Sequence, residues 1–185
     1  MALSIKRPES KYNDSHRFSV IPHEYFHVFQ KSLSEYAYIG IFKIKWLSEG
    51  TAASLESLYI QQFYDINFFK RSQKHVNIAV VNKPEIFEEH RLSGLEDRNY
   101  SSSVFMVLAL VKELKKLNFT EEKAFKLILN DFWRENPSKD NWKKVFHEVF
   151  KITLEDFYLS LKNYTNDIYS VLPSESLKLE NIFSG

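Results

Sequence analysis

The sequence predicts a mainly α-helical domain with at most a short strand or two, and three observations carry that expectation. Apolar residues recur at helical spacing, as in Leu55, Leu58, Tyr59 and Phe63. Thr120 and Thr153 stand where two such runs begin and suit helix N-caps. Strands are suggested at no more than two short stretches, 16–21 and 76–81.

Taken in order, residues 1–16 are polar, with Pro8, Glu9, Ser10, Asn13 and Asp14, and read as a tail or loop. Residues 16–21 alternate weakly and fit one extended strand. A first helix is expected from Pro22, whose ring suits a first turn, to about residue 35. Residues 36–45, aromatic and β-branched, read as a buried connection. A second long helix is expected over about 46–70, with Ala52 and Ala53 small enough to let another helix approach. Beyond it, 76–81 reads as a short strand or buried turn, 84–90 as a short helix, and 91–99 as a charged loop containing Gly94. Helices follow at about 101–117, 120–130, 141–150 and 153–170. Thr153 with Asp156 resembles a capping box built on the shorter acid. The whole chain, 1–185, is expected to form a single domain: a polar tail (1–16), two helices carrying a metal site (17–70), a connecting region (71–99) and a helical tail (100–185).

The chemistry is concentrated near the N-terminus. His23-Glu24-Tyr25-Phe26-His27 is an H-E-x-x-H pattern. On a helix, residues four apart share a face, so His23 and His27 can aim two imidazoles at one zinc ion while Glu24 lies beside it. A catalytic zinc takes three protein ligands and keeps a position for water, and Glu49 is the candidate third ligand. Glu24 is then the candidate general base. Glu56 lies seven residues after Glu49 on the same helix face, and either orients a ligand histidine from behind or sits in a surface ion pair. His16, His90 and His147 have no partner pattern. His147 begins a similar run, but Lys151 stands where a second ligand belongs, so Val145, Phe146, Val149 and Phe150 read as a core stripe. Trp46, Trp133 and Trp142 read as packing residues, and Asp97 and Arg98 as part of a solvated loop, with substrate contact as the alternative reading.

His23, Glu24 and His27 followed by Glu49 resemble the gluzincin clan of metallopeptidases. The run Trp46-Leu47-Ser48-Glu49-Gly50-Thr51-Ala52-Ala53-Ser54-Leu55-Glu56 is similar to the W-L-N-E-G-x-A-x-x-x-E segment of the aminopeptidase branch and departs from it at Ser48. The spacing from His27 to Glu49 is a few residues longer than is usual there. Tyr100-Ser101-Ser102-Ser103 looks like the start of the helix that carries the family's transition-state tyrosine, and residues 142–150 and 153–158 resemble the helical tail of bacterial members. The resemblance runs from about residue 20 to about residue 163. It implies a zincin fold with a C-terminal helical subdomain, a zinc cofactor, and hydrolysis of peptide bonds with Glu24 as base and Tyr100 at the oxyanion. His75 is the alternative electrophile, because thermolysin-like members use a histidine there. Gluzincins usually place a β-sheet before the motif, and only 22 residues precede His23. A minimal enzyme, or a catalytic part with an upstream domain outside this chain, is therefore expected. The G-x-M-E-N segment that grips a substrate's free amine has no counterpart, so endopeptidase action is favoured over exopeptidase action. The alternative is a catalytically inactive zinc-binding or protein-interaction domain.

Composition restricts the partners. Twenty-five basic and 24 acidic residues nearly cancel, which gives no broad positive surface for nucleic acid. With 44% hydrophobic and 16% aromatic residues, a chain of this length can bury a core. Cysteine is absent, which leaves histidine and carboxylate as zinc ligands. The first residues lack a signal-peptide core and no run approaches a membrane span, so a soluble chain is expected, in a compartment the sequence leaves open.

Overall fold

The fold is built around two helices that are buried on nearly every side. In the computed structural model the backbone is described over residues 14–34, 44–90 and 96–184, and the side chains over 18–34, 44–90 and 99–184. Residues 1–13 of the expected polar tail 1–16, most of the expected connection 36–45, and residues 91–95 of the expected loop lie outside these, while 14–16 are helical rather than tail.

The first helix, α1 (Asp14–Leu33), packs against α2 (Lys45–Tyr64). It begins eight residues before the expected start, so Pro22 lies inside it and residues 16–21 are helical rather than extended. The weak alternation there misled because the buried face of α1 is polar: Ser19 and Gln30 are buried with Phe26, while Ile21, Tyr25 and Val28 are exposed.

Helix α2 ends at Asp65, whose left-handed conformation (φ 55°) stops it well short of residue 70. The Asn67 side chain then accepts from the Lys70 amide and caps a separate short helix, α3 (Phe68–Gln73). Residues 76–81 form no strand. Their amides bond locally, Val80 to Asn77 O and Val81 to Ile78 O, and lead into a single turn, α4 (Ala79–Asn82). A 3-10 turn, Pro84–Glu88, follows where a short helix is expected.

The long helix α5 (Glu96–Lys116) starts earlier than expected, so Asp97 and Arg98 belong to its first turn and Tyr100 to its second. From 101 to 111 every residue is buried. It packs on α2 at Gly50, where the methyl of an alanine would meet the Ser103 carbonyl oxygen at 2.6 Å. Only glycine permits that approach.

The C-terminal part packs around these two. Thr120 caps α6 (Glu121–Lys126), which passes through a π-helical stretch, Leu127–Asp131, into α7 (Phe132–Arg134). Helix α8 (Trp142–Phe150) buries Val145, Phe146 and Phe150 of the expected stripe, together with Trp142, and leaves Val149 partly buried against the core. Thr153 caps α9 (Leu154–Ser160), although Asp156 pairs with the Thr153 hydroxyl at 2.7 Å. The helix expected to reach residue 170 instead breaks into 3-10 turns at Leu161–Tyr164 and Ile168–Val171, and α10 (Leu179–Phe183) closes the described chain. Trp46, fully buried, packs on Phe157 and Phe146, and its indole N–H donates to the Tyr158 hydroxyl, which donates to Glu88. Trp46, Trp133 and Trp142 are all core residues. The fold is mainly helical, with no strand among the described residues, and none of its helices is long and apolar enough to cross a membrane.

Candidate metal centre and its cleft

Where α1 and α2 meet, three ligand-type side chains converge. His23 and His27 stand one turn apart on α1, and Glu49, near the start of α2, reaches between them. Its Oε2 lies 3.6 Å from His23 Nε2 and 3.2 Å from His27 Nε2. All three donor atoms fall within 4.8 Å of one another. Their side chains are only 12–14% exposed.

Each imidazole is also held from behind. His23 Nδ1 is 3.0 Å from Glu56 Oε2, and His27 Nδ1 is 2.8 Å from Gln30 Oε1. The Gln30 amide in turn donates to the Ser48 carbonyl and the Thr51 hydroxyl of α2. A hydrogen donated from each Nδ1 leaves the Nε2 lone pairs as the ones offered toward Glu49. Of the two roles open to Glu56, the geometry is that of a carboxylate behind a histidine.

The donor set is of a kind that could hold a metal ion, and zinc is the ion to compare it with. Ligand bonds near 2.0–2.1 Å at tetrahedral angles separate neighbouring donor atoms by about 3.3 Å. The two separations from Glu49 bracket that length. Two neutral imidazoles and one carboxylate also match the preferences of this ion.

Electrostatics bind the same trio together in the metal-free chain. Burial acts to lower the His23 pKa, but hydrogen bonds to Glu49 and Glu56 and their negative charges outweigh it and lift the imidazole to about 9. Burial acts to raise the Glu49 pKa. Hydrogen bonds from His23 and His27, with the charges of His27 and Lys45, hold that carboxyl well below the usual range. The Lys45 ammonium stands 3.5 Å from the other Glu49 oxygen.

Beside the trio opens a cleft of about 570 Å³. Glu24 and His23 line it from α1, Glu56 from α2, Tyr100 from α5, and Arg71 and His75 from α3 and the turn after it. The Tyr100 ring lies 5.9 Å from that of His23, edge to face, and its side chain is 39% exposed. His75 lines the same cleft but is exposed. His147 is on the surface, and the His16 side chain is outside the described residues.

Several neighbours carry no sequence pattern. Gln30 is one of them, although its place three residues after His27, on the same helical face, is a readable signal. His90 is another: its Nε2 lies 2.9 Å from the Ser103 hydroxyl, and its ring packs edge to face on Tyr100. Ser103 gives its own proton to the Asn99 carbonyl, so His90 is the donor in that pair. Burial pushes the His90 pKa down to about 4 despite the opposing charge of Glu49. Nothing in the local sequence ties residue 90 to residue 103; only the fold does.

Compared with known protein families, with curated protein sequences and with solved structures, the chain matches none.

Proposed function

We propose that this protein is a zinc-dependent peptidase of gluzincin type, with zinc held by His23, His27 and Glu49 and with endopeptidase action as the expected form. The observation that carries the reading is the convergence of these three donors while Glu56 and Gln30 fix both imidazoles from the far side. Bound zinc would supply Lewis acidity, polarising a carbonyl and acidifying water. Glu24, on the cleft wall next to His23, takes the proton of the attacking water and returns it to the departing amine nitrogen. Tyr100, on the same cleft, donates its hydroxyl hydrogen to the oxyanion as charge builds there. Glu56 and Gln30 keep the ligand rings oriented throughout.

The test combines metal analysis with hydrolysis. Purified protein incubated with zinc should hold about one ion per chain, and His27→Ala should lose it. Glu24→Gln should keep the zinc and lose at least roughly a hundredfold in hydrolysis of a peptide mixture. A wild-type chain that binds no zinc sinks the reading. Zinc binding without any cleavage reduces it to a metal-binding domain.

A further inference from the structure

The cleft is lined by charges of opposite sign. On one side stand Glu24 and Glu56, the second already engaged by His23. On the other stands Arg71, projected from α3, a helix anchored by the fully buried Phe69. The Arg71 guanidinium rests over the Phe68 ring, 5.6 Å from its centre. Among the described residues no carboxylate lies within ion-pair distance of it. Arg71 also borders a second, smaller recess of about 290 Å³, where Lys70 and Lys74 outnumber the one acid, Asp65. A guanidinium held by an aromatic face and lacking an internal acid is set to receive a carboxylate in two-pronged fashion, which lysine cannot reproduce.

We infer that Arg71 is a specificity residue, and that the cleft selects peptides presenting a carboxylate to it. This rests on the peptidase reading above. The carboxylate can come from an acidic side chain or from a peptide's C-terminus, and the two sources are distinguished by the ligands used.

The experiment measures binding apart from turnover. Zinc-loaded Glu24→Gln protein is titrated into fluorescein-labelled hexapeptides, with anisotropy as the readout. Pairs differ only by glutamate against glutamine at one position in turn, or by a free against an amidated C-terminus. One acid member should bind about tenfold more tightly than its neutral twin at low salt, since a charge-assisted pair at an exposed guanidinium keeps only part of its strength. Raising the salt should shrink the gap. Adding Arg71→Ala should abolish it, and Arg71→Glu should reverse it. Zinc content and circular dichroism confirm that these surface variants fold. Acid and neutral twins that bind alike, peptides that do not bind in either form, or a preference that survives Arg71→Glu all overturn the inference. Hydrolysis by the wild-type chain judges the peptidase reading separately. Arg71-dependent acid binding without cleavage leaves the anion subsite standing and fells the enzyme, and cleavage without acid preference does the reverse.

Discussion

Glu56 and Gln30 do for the two imidazoles what packing alone cannot: they choose the tautomer and fix the ring angle. Glu56→Gln keeps the side-chain shape but removes the charge behind His23. Zinc affinity should fall by roughly ten- to a hundredfold, as is usual when such a partner is lost. Competition with a chromophoric chelator measures it, and unchanged affinity would make Glu56 a bystander. Tyr100 is tested on turnover. Its ring sits between those of His23 and His90, so Tyr100→Phe keeps the packing and removes only the hydroxyl. A donor aimed at the transition state should cost roughly a hundred- to a thousandfold in kcat with little change in KM. A wild-type rate in that variant would shift attention to His75, on the same cleft.

Among the elements, α2 and α5 approach each other closely at Gly50. Gly50→Ala gains up to about 1 kcal/mol of helix propensity. The added methyl, however, would lie 2.6 Å from the Ser103 carbonyl oxygen, a backbone atom that cannot swing aside. Overpacking of this kind costs about 1–3 kcal/mol, so the variant should be less stable in urea by a net ~1 kcal/mol. Equal midpoints for the two proteins would mean that the helices part freely. The same comparison of elements shows what the sequence makes legible. Helix α8 and the caps Thr120 and Thr153 follow from apolar spacing and hydroxyl chemistry, and the structure has them in place. The start of α1 does not, because its buried face carries Ser19, His23, His27 and Gln30 while apolar Ile21, Tyr25 and Val28 point outward. Hydropathy inverts where a helix turns a polar site inward. The His23, His27 and Glu49 cluster is legible because its chemistry is local in type and spacing. Gln30, three residues after His27, is legible in the same local way, whereas His90 and Arg71 join the site through packing between distant segments, which spacing does not encode.

For the molecule as a whole, His90 ties stability to acidity. Its folded pKa of about 4 is lowered by burial from an ordinary 6.5. Above pH 6.5 both folded and unfolded chains leave it neutral, and its contribution is fully present. Between 6.5 and about 4 the unfolded chain takes up a proton that the folded chain refuses, so stability falls as pH drops through that window. His90→Gln cannot charge and retains a donor for Ser103. It should therefore lose less stability than wild type between about pH 7 and about pH 4.5 in paired urea titrations. Parallel losses in the two proteins would refute the assignment.

Pro22 divides α1 into two lengths. Lacking an N–H, it leaves the Phe18 carbonyl without its helical donor, immediately before the first ligand. The segment after it is clamped to α2 through His23, His27 and Gln30, and the missing hydrogen bond interrupts the ladder that joins it to the segment before. One helix then contains two cooperative opening units. Amide hydrogen exchange should be rapid over 14–21 and slow over 23–33. Added zinc should slow the second stretch further and leave the first nearly unchanged, so that the boundary of metal protection falls at a proline in mid-helix.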